Sequence, residues 1–288
     1  MKTTEAIKNR AQPPLDHTTG LSYRQLASLA HGVERTIGPW QPATGRQKAL
    51  SAFMAVVVTV NYLRRNDCQE AVGEHFLVSQ STVSRYIKKL EPVVSVLLDD
   101  LMARLRAAAL AEALIVDGFL VLTGERKWFD GLYSGKRHDT GANLQAIATL
   151  RGRVIDLSPP LRGSVHDSRA FTDTGLDKAY KIHCSPQGPG MLGDKAYIGK
   201  VPVTPVRKPA YRDLTEEERE FNRSINSNRA AVERGISHLR NWRILATGYR
   251  RPLLYLYRTS QTVMKLEQYA IHPEEVSTVL RTSPLADS

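Results

Sequence analysis

Cysteine is scarce in this chain of 288 residues. The two present, Cys68 and Cys184, fall in different regions. That excludes a disulfide framework and a cysteine-based zinc site, and it fits a reducing compartment. Long apolar runs are missing as well. The stretch Ala52–Val60 is too short for a bilayer, which needs about 20 residues, and reads as a buried helix. The first eight residues hold no apolar core of the signal-peptide kind. Acid is the third shortage. The chain has 29 Asp+Glu against 40 Lys+Arg, a formal charge of +11. Such a surplus favours a polyanionic partner, nucleic acid above all. Internal repeats and low-complexity tracts are absent.

The length allows two domains. The sequence predicts a frayed, polar segment over 1–20, a helical domain over 21–110 and an α/β domain over 111–288. Ser22 caps a first helix, and Gly38-Pro39 ends it. Further helices are expected over 46–65, 67–76, 80–90 and 92–106. Strands are expected over 114–122, as a strand pair or one strand with a bend at Gly118, over 143–150 and 153–157 joined at Arg151-Gly152, and over 190–194. Residues 168–178 read as a helix and 195–212 as a loop. A long helix begins behind Thr215, with Glu218 three residues on as a capping box, and the last helix covers 253–270.

Residues 69–90 have helix-turn-helix spacing. Gly73 is small where two helices cross, Val78, Val83 and Ile87 face inward, and Ser79 caps the second helix. Gln80, Ser81, Ser84 and Arg85 then lie on a groove-facing side, with Lys88 and Lys89 placed for phosphates. Leu77 stands where such turns usually place glycine, which implies strain or a wider turn.

Four carboxylates carry the rest. Asp117 ends Ala-Leu-Ile-Val-Asp, Asp167 lies in Val-His-Asp-Ser-Arg, Asp194 ends Met-Leu-Gly-Asp, and Glu233 sits in Asn-Arg-Ala-Ala-Val-Glu-Arg. Carboxylates at strand ends and on a helix supply the oxygen ligands that Mg²⁺ prefers. Two such ions about 4 Å apart drive in-line attack on a phosphodiester.

Val116-Asp117-Gly118, Gly163-Ser-Val-His-Asp167-Ser-Arg, Gly193-Asp194-Lys-Ala-Tyr197 and Asn222 to Glu233 together resemble the DDE transposases. The group is that of bacterial insertion sequences related to PIF/Harbinger elements and their nuclease relatives. Phe119, Ala196 and Asn226 depart from its usual pattern without removing a ligand. The resemblance covers about 60–270. It implies a ribonuclease H-like core with a mixed sheet, and Mg²⁺ or Mn²⁺, two ions in all. Counting strands makes Asp117, Asp194 and Glu233 the catalytic triad. Asp167 is either a fourth metal ligand or the anchor of the helix that follows it. Arg229, one turn before Glu233, positions it or a phosphate.

Residues 195–212 and 234–266 hold many cations and no acid. Arg240 and Arg243 are expected to track phosphates, with Trp242 and Tyr249 as stacking groups. The function implied is a transposase that binds terminal inverted repeats and cleaves and joins DNA. The alternatives are a silent DNA-binding regulator and a metal-dependent endonuclease that cannot join ends. Double-stranded DNA, both repeat and target, is the expected partner. A homodimer or larger assembly, a cytoplasmic, nucleoid-associated location and no membrane contact complete the expectation.

Overall fold

The computed structural model describes residues 15–124 and 131–275. The expected fraying of residues 1–14 lies outside the described residues. The chain divides into two compact units, residues 1–97 with 269–288, and residues 98–268.

The first unit is helical: α1 (Leu15–Thr19), α2 (Tyr23–Ile37), α3 (Ala52–Arg65), α4 (Gln69–Phe76) and α5 (Gln80–Leu97). Residues 15–19 were read as frayed but form a helical turn. Thr19 is buried, and Asn61 Nδ2 donates to the Thr18 carbonyl. The capping box of α2 is real: Ser22 Oγ accepts from Gln25 N, and Gln25 Oε1 accepts from Ser22 N. α3 starts behind Ser51, later than the expected position 46. Side chains hold the preceding backbone in a loop instead. Trp40 Nε1 donates to Leu50 O, and Gln41 Oε1 accepts from Lys48 N. The Lys48 and Lys89 ammoniums lie 4.1 and 5.5 Å from the buried Trp40 ring.

α5 runs straight through Pro92, where a break was expected. Proline in a helix costs about 3 kcal/mol. The apolar stripe Val83, Ile87, Leu90, Val94 and Leu97 continues across it, fully buried, and outweighs that cost. The helix then ends, and α6 (Asp99–Ala109) is separate.

α6 belongs with the second unit rather than with the helical domain in which the sequence reading placed it. Arg106 explains why: its Nε donates to Ile155 O and its Nη2 to Asp156. The sheet comprises β1 (Leu114–Leu122), β2 (Tyr133–Ser134), β3 (Asp139–Thr149), β4 (Val154–Leu157), β5 (Leu161–Arg162) and β6 (Met191–Leu192). β3 pairs antiparallel with β1, β2, β4 and β5, and β6 runs parallel to β1 on its other side. β1 is one continuous strand with no bend at Gly118. A long central strand between an antiparallel and a parallel neighbour is the ribonuclease H-like mixed sheet.

The expected helix over 168–178 is instead α7 (Asp167–Asp173) and α8 (Leu176–Ala179), followed by α9 (Lys181–Cys184). Gly175, at φ +77°, separates the first two. Phe171 and Leu176 pack on Leu114, Val116, Ile147, Met191 and Tyr197 in the core. α10 (Glu216–Arg240) carries the Thr215–Glu218 capping box. α11 (Leu256–Ile271) follows, and its residues from Tyr269 onward count with the helical unit. No helix among the described residues is long and apolar enough to cross a membrane.

Candidate active site and nucleic-acid interface

Side chains alternate along a strand, so Asp117 and Phe119 face one side of β1 while Val116, Gly118 and Leu120 face the other. Asp194 is placed by β6. β1 and β6 are paired as Leu114 with Met191 and Ile115 with Leu192. The chain leaves β6 toward the level of Asp117, and the Asp194 charge acts on the Asp117 carboxyl. Asp194 follows β6 by two residues and caps a 3-10 turn, its Oδ1 accepting from Ala196 N at 2.7 Å.

The third side comes from α10. Arg229 Nη2 lies 3.7 Å from Asp117 Oδ2, and both side chains are largely enclosed. Glu233 follows one turn later on the same helix face. It is exposed. α10 therefore lies on the Asp117 side of the sheet. Two glycines let it approach: a Cβ on Gly235 would sit 2.5 Å from Gly152 O, and one on Gly152 2.6 Å from Ala231 O.

Burial pushes the Asp117 carboxyl up to about 6. Arg229 opposes this, and the Asp194 and Asp167 charges add to it. The carboxylates are thus within electrostatic reach of one another. They offer only oxygen donors, as a hard divalent cation requires. Among the described residues no three such groups converge on one point. Like charges without a cation splay apart, and Arg229 draws Asp117 to itself.

Asp167 is elsewhere. A Cβ on Gly118 would lie 2.3 Å from Asp167 Oδ1, which puts this carboxylate on the Gly118 face, opposite Asp117. The Asp167 charge still acts on Asp117, while its oxygens are taken up by protein donors. The cap role belongs to His166, whose Nδ1 accepts from Ser168 N. Asp167 instead accepts from Lys136 Nζ at 2.6 Å and Asn143 Nδ2 at 3.0 Å, with Gln145 Nε2 at 3.4 Å. Burial opposes its charge, but these donors outweigh burial and hold it below the ordinary carboxylate range. Gln145 Oε1 in turn accepts from the buried Tyr197 hydroxyl.

The network of Lys136, Arg137, Asn143 and Gln145 was missed in the sequence. Asn143 and Gln145, two apart within an apolar strand, were the available signal, because both face the same way. Lys136 and Arg137 sit in the turn between β2 and β3. Arg137 Nη2 donates to Gly118 O at 2.9 Å. They help line a cleft of about 240 Å³ with Ser134, Ser164, His166 and Asp167.

In the helical unit, a Cβ on Gly73 would meet Val78 O at 2.5 Å, so the helix crossing requires glycine. Val83 and Ile87 are buried, and Val78 is half-buried. Ser79 Oγ accepts from Thr82 N. Leu77 takes the left-handed conformation at φ +55°, and the turn stays tight, with Val78 N donating to Gly73 O. Gln80, Ser81, Arg85, Lys88 and Lys89 are exposed, and Ser84 is half-buried. Arg85 folds back onto Ser81, and Gln80 Nε2 donates to Gln69.

Two expectations for the C-terminal region fail. Trp242 and Tyr249 are core residues rather than stacking groups. Trp242 Nε1 donates to Glu267 Oε2, and both rings are buried. Arg251 and Lys265 are buried too, Lys265 against Asp99, while Arg240, Arg243 and Arg250 remain exposed. The amphipathic spacing of this region placed its aromatics inward.

Comparison with known proteins gives the family. The profile of the DDE superfamily endonucleases matches residues 116–269, and that of their helix-turn-helix matches residues 48–100. A protein of Microchaete diplosiphon described as a probable transposase for insertion sequence element IS702 is 24% identical over 216 residues, 72% of this chain and 76% of that one. A protein of Streptomyces albus G described as a putative transposase for insertion sequence element IS112 is 28% identical over 229 residues, 79% and 83% of the two chains. The mariner Mos1 paired end complex with Mn aligns over 81% of this chain and 82% of that one, at 11% identity, but with a TM-score of only 0.20. The family profile covers more than half of the sequence and contains Asp117, Asp194 and Glu233. The chain belongs to the DDE superfamily endonucleases.

Proposed function

We propose that this endonuclease is an insertion-sequence transposase that cuts DNA at its element's ends and joins it to a target. The observation that carries the reading is the coupling of three segments around Asp117: the Asp194 charge, just past β6, acts on its carboxyl, and Arg229 of α10 rests against it. Asp117, Asp194 and Glu233 form the proposed triad and would hold the divalent cation, Mg²⁺ or Mn²⁺. The bound cation supplies Lewis acidity and a water of lowered pKa. Arg229 holds Asp117 in place before loading. Its Nε is buried without an acceptor among the described residues, ready for Glu233 or a phosphate oxygen.

Asp167 acts in this reading as a pin. It fixes Lys136 and the β2–β3 turn against the catalytic strand without touching the cation. Gln80, Ser81, Ser84 and Arg85 read bases of the terminal repeat, while Lys88 and Lys89 take phosphates. Arg240 and Arg243 contact DNA beside the triad. The motifs around Asp117, His166-Asp167 and Asp194 favour the group related to PIF/Harbinger elements. Joining two ends calls for two copies of the chain, acting at the nucleoid.

The test is a duplex carrying the end of the element that encodes this chain, incubated with Mg²⁺ or Mn²⁺ and a target plasmid. Cleavage at the end followed by joining supports the reading. Cleavage without joining leaves only the endonuclease.

A further inference from the structure

β6 pairs with β1 only at Leu114 and Ile115; beyond them Gly118 O accepts from Arg137 Nη2 and Leu122 O from Tyr249 N. Further along β1, Leu120 and Leu122 line a cleft of about 260 Å³ with Arg137, Asp139, Arg240 and Ala246. Its two guanidiniums come from different directions. Arg137 belongs to the β2–β3 turn and is anchored through Nη2 on Gly118 O, next to Asp117. Arg240 ends α10, eleven residues after Arg229.

Eleven residues at 100° per residue return to within about 20° of the same helix face. Arg229, Glu233 and Arg240 thus form one line along α10. Seven residues at about 1.5 Å each put Arg240 roughly 10 Å beyond Glu233.

Neither Arg137 nor Arg240 has an acidic partner within ion-pair distance among the described residues. Burial and the Arg137 charge both lower the Arg240 pKa, so the two cations already feel each other's repulsion. Two guanidiniums lining one cleft, neither paired with a carboxylate, suit an anion. Asp139, the acid in the cleft, is exposed, and its Oδ1 accepts from Thr140 N. The planar fork of arginine suits two phosphate oxygens. Apolar Leu120, Leu122 and Ala246 line the cleft and strengthen such contacts by excluding water.

We propose that Arg137 and Arg240 clamp one backbone phosphate of the strand being cut, one to two nucleotides from the phosphodiester at Asp117 and Asp194. The proposal rests on the transposase reading and adds where the strand is gripped. Because Arg137 also holds the Gly118 carbonyl, the clamp and the catalytic strand share one anchor. A phosphate seated there fixes the distance from the grip to the cut.

The experiment measures binding by the full chain in EDTA, so that no strand is cut. The probe is a duplex spanning the junction between the element's terminal repeat and its flank. A neutral methylphosphonate replaces one phosphate at a time. For the wild type, one position within two nucleotides of the junction should weaken binding roughly tenfold, as expected for a lost charge-assisted contact. Arg137→Gln and Arg240→Gln should each bind the unmodified duplex more weakly by about that factor and become indifferent to that position. Interference elsewhere should persist. Arg240→Lys, at an exposed helix end, should keep part of the effect and melt like the wild type.

Wild-type interference retained by both Gln variants overturns the clamp, and so does an equal loss at every position. Cleavage of the same duplex with Mg²⁺ is scored separately. Binding with the clamp pattern but no cutting would sink the transposase reading and leave the phosphate site standing.

Discussion

Arg229 Nη2 stands 3.7 Å from Asp117 Oδ2, with both side chains shielded from solvent. A helix cation thereby rests on the carboxylate of the central strand, one turn before Glu233. The contact ties α10 to the Asp117 face of the sheet.

If that face is the active site, Asp117→Ala, Asp194→Ala and Glu233→Ala should each cut the cleavage rate by about 10³-fold or more while leaving DNA affinity nearly intact. Gel assays of cleavage and of binding on the same duplex provide the check. Normal cleavage by any one variant removes that residue from the triad.

Asp117 should shape stability against pH. Its carboxyl lies at about 6 in the fold because of burial, against about 3.9 for a free side chain. The folded state therefore binds the proton more tightly, and stability should fall as pH rises from about 4 to about 6. The span is at most about 3 kcal/mol. Asp167, held below the ordinary range, acts oppositely and at lower pH, its contribution disappearing as pH falls below about 4. Urea melts of the wild type and of Asp117→Asn across this range should show the slope between pH 4 and 6 only in the wild type.

The pin role of Asp167 separates from a ligand role by thermodynamics. Asp167→Ala leaves Asn143, Gln145 and Lys136 without their common acceptor and should destabilise the fold by about 1–3 kcal/mol. A drop in melting temperature with a modest loss of Mg²⁺-dependent cleavage is expected. An unchanged melt with a triad-sized loss of cleavage would make Asp167 a ligand.

Base reading by α5 makes a different forecast. Arg85→Ala should reduce discrimination between repeat and random DNA by about 1–3 kcal/mol. Lys88→Ala should weaken both alike and lower the salt slope by about 1. Fluorescence anisotropy over a salt series distinguishes the two. No change with Arg85→Ala would mean that this face of α5 does not enter a groove.

Leu77 offers a test of strain. It is exposed and sits at φ +55°, where only glycine is comfortable. Leu77→Gly should be neutral or stabilising by up to about 1 kcal/mol. A marked loss on thermal melting would show that its side chain contributes contacts that offset the strained backbone.

The two units differ in how much of them was readable. Helices and strands whose signals are local appeared where expected: the cap at Ser22, the box at Thr215–Glu218, and the apolar run around Asp117. The turn at Leu77 was readable too, because Gly73 and Ser79 fixed its ends. Pro92 misled because a propensity rule met a buried stripe that continues past it. The facing of Asp167 was hidden, since it depends on how the chain returns from β5 to α7. Arg137 was hidden for the same reason: its carbonyl partner lies nineteen residues earlier on another strand.

Trp40 gives the helical unit an optical property. The Lys48 and Lys89 ammoniums lie 4.1 and 5.5 Å from its ring centre, close enough for their field to act on the indole. Lys89 is carried by α5, beside the side chains proposed to meet DNA. A phosphate that draws this ammonium off the ring alters the field and with it the colour and yield of the light. Occupancy of the helix should then register in the Trp40 share of the natural fluorescence, one of three tryptophans.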